Sequence, residues 1–192
     1  MRGFEKSGWD GRIFIGLGAN VPLWYGMLPR ATIGAALVML EDCGIRIHRR
    51  SSWYASAPVP YDPNQPDFVN GVVEVMTRMP ARELMATMLG IEAALGRVRS
   101  IPNAPRTIDM DLLAYGPMVH NAEYEGDVIV PHPRMCDRAF VMTPLAEIAP
   151  DWVHPQTHGT ASAYAVGLGK DDLNIMYDGG GAFGTEWSAA AA

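Results

Sequence analysis

An α+β fold is predicted, with a ferredoxin-like βαββαβ core whose helices pack on a mostly antiparallel sheet. Three observations predict it. Four short apolar runs suited to strands and two helical stripes follow one another in the order β-α-β-β-α-β, the split βαβ arrangement. The chain has 192 residues, which suits one domain. Hydrophobic residues are 48% of it and charged residues 19%, the balance of a chain with a real core.

IFIGLG (13–18) is an apolar run closed by glycine and reads as a buried strand. From Arg30 to Asp42, Ile33, Leu37 and Leu40 form the stripe of an amphipathic helix, which Gly44 is placed to end. IRIHRRSSWY (45–54) returns to strand character. The stretch 55–67 holds four prolines, so it is an irregular but ordered loop. FVNGVVEVMT (68–77) reads as the third strand. Pro80 can open a helix to about Leu95, with Leu84, Met88, Ile91 and Leu95 on its buried side. RTIDMDLLAY (106–115) is the fourth strand. Beyond it, GPMVHNAEYEGDVIVPHPR suggests an added strand pair, and RAFVMTPLAEIA (138–149) a closing helical or extended segment. Residues 12–155 are therefore expected to form the single domain. Residues 1–11 read as a loose lead-in, and 156–192, rich in Gly and Ala, as an extension expected to pack weakly or be partly disordered.

A net charge of −6 argues against nucleic acid as a partner, since non-specific binding needs a dominant basic surface. No apolar run is long enough to span a membrane, and no targeting segment is visible. Cys43 and Cys136 are the only cysteines, too few for a disulfide scaffold, so a cytoplasmic setting is expected.

The chemistry concentrates at PRTIDMDLL (105–113). Side chains i and i+2 share a strand face, so Asp109 and Asp111 sit together, roughly 6–7 Å apart at Cα. Two carboxylates that close repel unless a cation lies between them or one is protonated. Mg²⁺ favours one or two carboxylates, several waters and substrate phosphate oxygens. A D-x-D alone is as well explained by two surface aspartates on a solvated face. Arg97, Arg99 and Arg106 bracket the loop that leads into this strand, and guanidinium forks suit phosphate. Cations beside a carboxylate pair are what a nucleotide polyphosphate needs, although structural ion pairs with Glu92 or Asp109 would explain the same arginines. No GxxxxGK[ST] occurs, and Gly16-x-Gly18 lacks the third glycine and following helix of a dinucleotide site. The histidines do not form a zinc set.

Six segments in order resemble the 6-hydroxymethyl-7,8-dihydropterin pyrophosphokinase family. They are FIGLGAN (14–20), SSWYASAPV (51–59), QPDFVNGV (65–72), IEAALGRVR (91–99), PRTIDMDLL (105–113) and VPHPRMCDRAFVMTPLAEIAP (130–150). The resemblance implies transfer of the β,γ-pyrophosphoryl group of ATP to the pterin hydroxymethyl oxygen, leaving AMP. It implies two Mg²⁺ on Asp109 and Asp111. Arg97 and Arg106 would then join the aspartates in catalysis. Glu92, Arg97, Arg99, Arg106, Leu112, His132 and Arg138 would contact ATP. Ser56, Ala57, Pro58, Val59 and Asn70 match the segment around the pterin edge, and Phe68 and Phe140 the rings that sandwich it; from the residues alone, both rings read as core packing. The partners implied are ATP and a reduced pterin, with the protein acting as a monomer. The sequence departs from the family pattern at Asn103, where many members have Trp in a loop one residue longer, and at Pro60, Ile129 and Pro133. Asn103 and Pro60 motivate one alternative, a catalytically weakened pterin- or nucleotide-binding module of the same fold.

Overall fold

The computed structural model describes residues 11–23, 26–98, 104–121, 124, 127–169 and 173–176. In chain order the elements are β1 (Ile13–Ala19), α1 (Pro29–Asp42), β2 (Arg46–Arg50), β3 (Trp53–Ser56), β4 (Phe68–Met76), α2 (Ala81–Ala94), β5 (Asp109–Tyr115), α3 (Ala139–Ile148), α4 (Ala161–Leu168) and β6 (Leu173–Met176). The sheet order is β5-β1-β4-β3-β6, with β2 also paired to β4, and every pairing is antiparallel. This is the expected split arrangement: the strand after α2 returns beside β1. Gly44 ends the first helical region at φ 79°, a left-handed conformation that glycine adopts without a Cβ clash.

The stretch read as one strand over 45–54 is two, laid end to end along β4. Ser51 makes the joint. Its N–H donates to the Val72 carbonyl at 3.0 Å, while its Oγ accepts the Val72 N–H at 3.0 Å. The side chain thus takes one ladder bond that a backbone carbonyl would normally take, and the strand turns there. β5 begins at Asp109 rather than Arg106. The Arg106 carbonyl instead accepts the N–H groups of Asn20 and Val21, at 3.1 and 3.3 Å. Among the described residues the strand pair expected after Tyr115 appears as one bridge, His120 with Val130.

β1 is buried along its whole length, so both sheet faces need cover. Ile13, Ile15, Leu17, Val69, Val73, Met110 and Leu112 pack with α1 and α2 on one face. Phe14, Val72 and Leu113 pack on the other with α3 and the start of α4. Trp152 stands edge-on to Phe14, ring centroids 5.7 Å apart. The tail therefore contributes more than its composition suggests. Thr160 caps α4, its Oγ1 accepting the Ala163 N–H at 3.1 Å, and β6 adds an edge strand to β3. Among the described residues no helix is long and apolar enough to cross a membrane.

Gly71 of β4 lies against the buried Trp53 ring, and a Cβ there would stand 2.5 Å from it. Gly71→Ala is expected to destabilise the fold by about 1–3 kcal/mol through overpacking. Urea denaturation checks this, and an unchanged midpoint would show that the indole has room to move.

Candidate active site

α3 and α4 cover only part of the second sheet face. Over the rest, β1 presents Gly16 and Gly18 on the side where Phe14 otherwise fills the core. A Cβ at Gly16 would meet Leu113 at 3.3 Å, and one at Gly18 would meet Asn70 Oδ1 at 3.2 Å. These glycines form the floor of a pocket, a use of G-x-G unrelated to dinucleotide binding.

Strand alternation supplies the floor's neighbours. Ile108, just before β5, and Met110 and Leu112 on it are buried toward α1 and α2, while Asp109 and Asp111 line the pocket. On β4, Phe68 and Asn70 line it, and Asn70 Nδ2 donates to Ser56 Oγ at 2.8 Å. Ala57, Pro58 and Val59 continue that wall. His132, Arg138 and Phe140 also line the pocket, and Arg97 and Arg106 complete the lining. Thirteen of the sixteen site residues expected from the sequence thus line one cavity.

Three do not. Leu112 points its side chain into the α1–α2 core. Glu92 is buried at the end of α2, where its Oε1 accepts the Met110 N–H at 2.7 Å and also pairs with Arg97. It lies behind the arginine rather than on the pocket wall. Arg99, like Asn103, lies outside the described residues. The structure adds Arg134, which the sequence reading passed over although it stands inside VPHPR. Two positions from His132 in a basic segment was the signal available.

Charge in the pocket divides into two groups. Arg97 Nη1 bridges Glu92 and Asp109, and Arg106 Nη1 holds the second oxygen of Asp109. The Asp111 Oδ2 is more loosely attended, by Arg138 at 3.7 Å and His132 at 3.8 Å. Asp111 is also the more exposed side chain, at 37% against 23% for Asp109. Desolvation pushes the Asp111 carboxyl above its ordinary range and the neighbouring Asp109 pushes further, while His132, Arg138 and Arg97 pull it back. Partial burial lowers His132, opposed by Asp111 and reinforced by Arg138 and Arg134. Its Nδ1 accepts the Arg134 N–H at 3.2 Å, so Nε2 is the nitrogen that faces Asp111. Arg106 and Arg138 also lie over the Phe68 and Phe140 rings, each 5.5 Å from the centroid.

The donor set suits a hard divalent cation with substrate oxygens completing its shell. Two carboxylates on one strand face are too few for a closed protein cage, and no cluster of three or more candidate ligands occurs among the described residues. The surrounding cations, together with Phe68 and Phe140 lining the same cavity, are groups that suit a polyphosphate beside a planar heterocycle.

The family model described as 7,8-dihydro-6-hydroxymethylpterin-pyrophosphokinase matches residues 14–150. A Synechocystis protein named 2-amino-4-hydroxy-6-hydroxymethyldihydropteridine pyrophosphokinase is 41% identical over 146 residues, 76% of this chain and 70% of its own. A protein of the same name from Methylorubrum extorquens is 41% identical over 143 residues, 74% of this chain and 85% of its own. The crystal structure of wild-type Plasmodium falciparum HPPK-DHPS with pteroate superposes with TM-score 0.66 over 86% of this chain and 48% of that one. At 13% identity, that likeness concerns the fold.

Asn20 ties the rim together. Its Oδ1 accepts the Arg106 N–H at 2.8 Å, and its Nδ2 donates to the Pro66 carbonyl at 3.2 Å. Asn20 is buried, so Asn20→Ala strands both partners and is expected to cost about 2–3 kcal/mol of stability. Turnover should fall as well, because Arg106 loses its anchor. Denaturation together with single-turnover kinetics checks both, and a variant with wild-type turnover would remove Asn20 from the positioning of Arg106.

Proposed function

The chain belongs to the 7,8-dihydro-6-hydroxymethylpterin-pyrophosphokinase family, and from that premise we propose that the pocket over Gly16 and Gly18 is where it works. The reaction is pyrophosphoryl transfer from ATP to 6-hydroxymethyl-7,8-dihydropterin, a step of folate biosynthesis that yields AMP and the pterin diphosphate. The relatives named as pyrophosphokinases do not favour a binding module without chemistry. One observation carries the assignment of the pocket: a carboxylate pair flanked by arginines on both sides shares a single cavity with two aromatic walls.

The pterin takes the aromatic pole. Phe68 and Phe140 stack its faces, Asn70 offers amide hydrogen bonds to its edge, and the segment 57–59 supplies backbone groups. Asn70 arrives already oriented by Ser56, which lowers the ordering cost on binding. The triphosphate takes the charged pole. Arg97 and Arg106 stand where they can exchange the Asp109 carboxylate for phosphate oxygens, and His132, Arg134 and Arg138 line the same cavity, His132 and Arg138 beside Asp111. Asp109 and Asp111 would hold two Mg²⁺. When bound, such ions lower the pKa of the attacking hydroxyl and offset charge on the α,β-bridge. The protein's own part is to position the two substrates, exclude water and neutralise charge, which is where phosphoryl-transfer catalysis chiefly lies. Glu92 acts one layer back, holding Arg97 against the rim. A reducing compartment fits the two free cysteines.

Phosphorus NMR of the protein with Mg-ATP and the pterin tests the reaction. AMP and a pterin diphosphate are expected in equal amounts, and ADP would place the attack on the wrong phosphorus. Asp111→Asn keeps the side-chain size but removes a metal-binding charge. Turnover should fall at least about 100-fold, since even outer partners of metal ligands are worth 10–100-fold. Arg134→Gln should raise the KM for ATP about fivefold and leave that for the pterin unchanged, as expected for a half-solvated charge-assisted contact. Equal effects on both substrates would take Arg134 off the triphosphate.

A further inference from the structure

Glu147 lies outside the pocket, near the C-terminal end of α3, yet its carboxylate collects more hydrogen bonds than the neighbouring helix side chains. Oε1 accepts the Ser52 hydroxyl at 2.8 Å and the Ser52 N–H at 3.0 Å; Oε2 accepts the same N–H at 2.9 Å and the Tyr54 hydroxyl at 2.9 Å. All these partners sit at the joint between β2 and β3. Close by, Arg49 Nη1 donates to the Ile148 carbonyl at 2.9 Å, so the helix end is tied to the same strand a second time.

What this tie fixes follows from the periods of the two elements. Phe140 and Glu147 are seven residues apart on α3, on one stripe and about 10 Å from each other. Tyr54 and Ser56 are two apart on β3 and share one face, roughly 6–7 Å from each other. Helix and strand are therefore two rails, clamped at one end by Glu147. At the other end the helix rail carries Phe140 and the strand rail carries Ser56 with its bonded Asn70. We propose that Glu147 is a positioning residue that sets the width of the pterin slot by clamping α3 to the β2–β3 joint. The inference rests on the reading of Phe140 and Asn70 as pterin contacts.

The chemistry of the clamp calls for a carboxylate. Ser52 N–H, Ser52 O–H and Tyr54 O–H are all donors, and a carboxylate offers acceptors only. Glutamine would turn an amide NH₂ toward at least one donor. Desolvation and the bond to Glu147 raise the Tyr54 hydroxyl well above its ordinary range, so it stays protonated as a donor.

The test is steady-state kinetics of the full chain with Glu147→Ala, Glu147→Gln and Tyr54→Phe, with folding followed by circular dichroism. Glu147→Ala should raise the pterin KM about tenfold and leave the ATP KM within about twofold, the size expected if the worth of about one net hydrogen bond of the clamp reaches the slot. Glu147→Gln should fall between, and Tyr54→Phe should move the same way by about threefold. If Glu147→Ala does not fold, the two milder variants decide on the same split. An unchanged pterin KM, or pterin and ATP KM values rising together, overturns the clamp while leaving the assigned reaction in place. If the wild-type protein makes no AMP from Mg-ATP and the pterin, the reading of the site fails, and the clamp fails with it.

Discussion

A sheet whose central strand is buried throughout must be covered on both faces, and this molecule covers one face completely and the other in part. α1 and α2 close the first face with aliphatic side chains from alternate positions of β1, β4 and β5. α3 and α4 close the second only around Phe14, Val72 and Leu113. Where they stop, the same alternation must present something other than aliphatic surface, which is costly to leave in water. It presents Gly16, Gly18, Asn70, Phe68, Asp109 and Asp111. The pocket is thus a gap in helix cover, and its lining follows from strand period and sheet order together.

Two carboxylates in that gap are tolerable because cations surround them unevenly. Asp109 is held on both oxygens by Arg97 and Arg106, and Arg97 is itself anchored by buried Glu92. Among the described residues Asp111 has only distant partners, and its proton affinity is raised by desolvation and by Asp109. The arrangement stores positive charge on the rim beside negative charge on the floor. Such an arrangement suits a ligand that brings phosphate and cations at once, the role proposed above for Mg-ATP. Anchoring the rim through Asn20 and Glu92 keeps the arginines poised without filling the cavity.

Much of this could be read before folding. The helix stripes of Ile33–Leu37–Leu40 and Leu84–Met88–Ile91 were legible because 3.6-residue periodicity is local, and the observed helices differ from the expected bounds by about one residue. The face shared by Asp109 and Asp111 was legible for the same reason. The break at Ser51 was not, because it depends on a hydroxyl meeting the Val72 amide twenty-one positions away. Gly16 and Gly18 were visible but assigned no use, since the floor they form exists only once α3 stops short of them. Glu92 was expected among ATP contacts, but the fold sets it behind Arg97.

The sequence by itself determined which residues alternate, which stretches coil, and which ordered motifs carry the pyrophosphokinase family. These are properties of neighbours along the chain. Only the tertiary structure decided that the segment after residue 155 supplies a packed helix and an edge strand. It alone decided that Arg134 joins the pocket, and that Glu147 reaches back to Ser52 and Tyr54. Those contacts join positions far apart in the chain. Their cost in loop closure is met by burial and by hydrogen bonds that no local pattern encodes, so they become definite only when the sheet and both helix layers are in place.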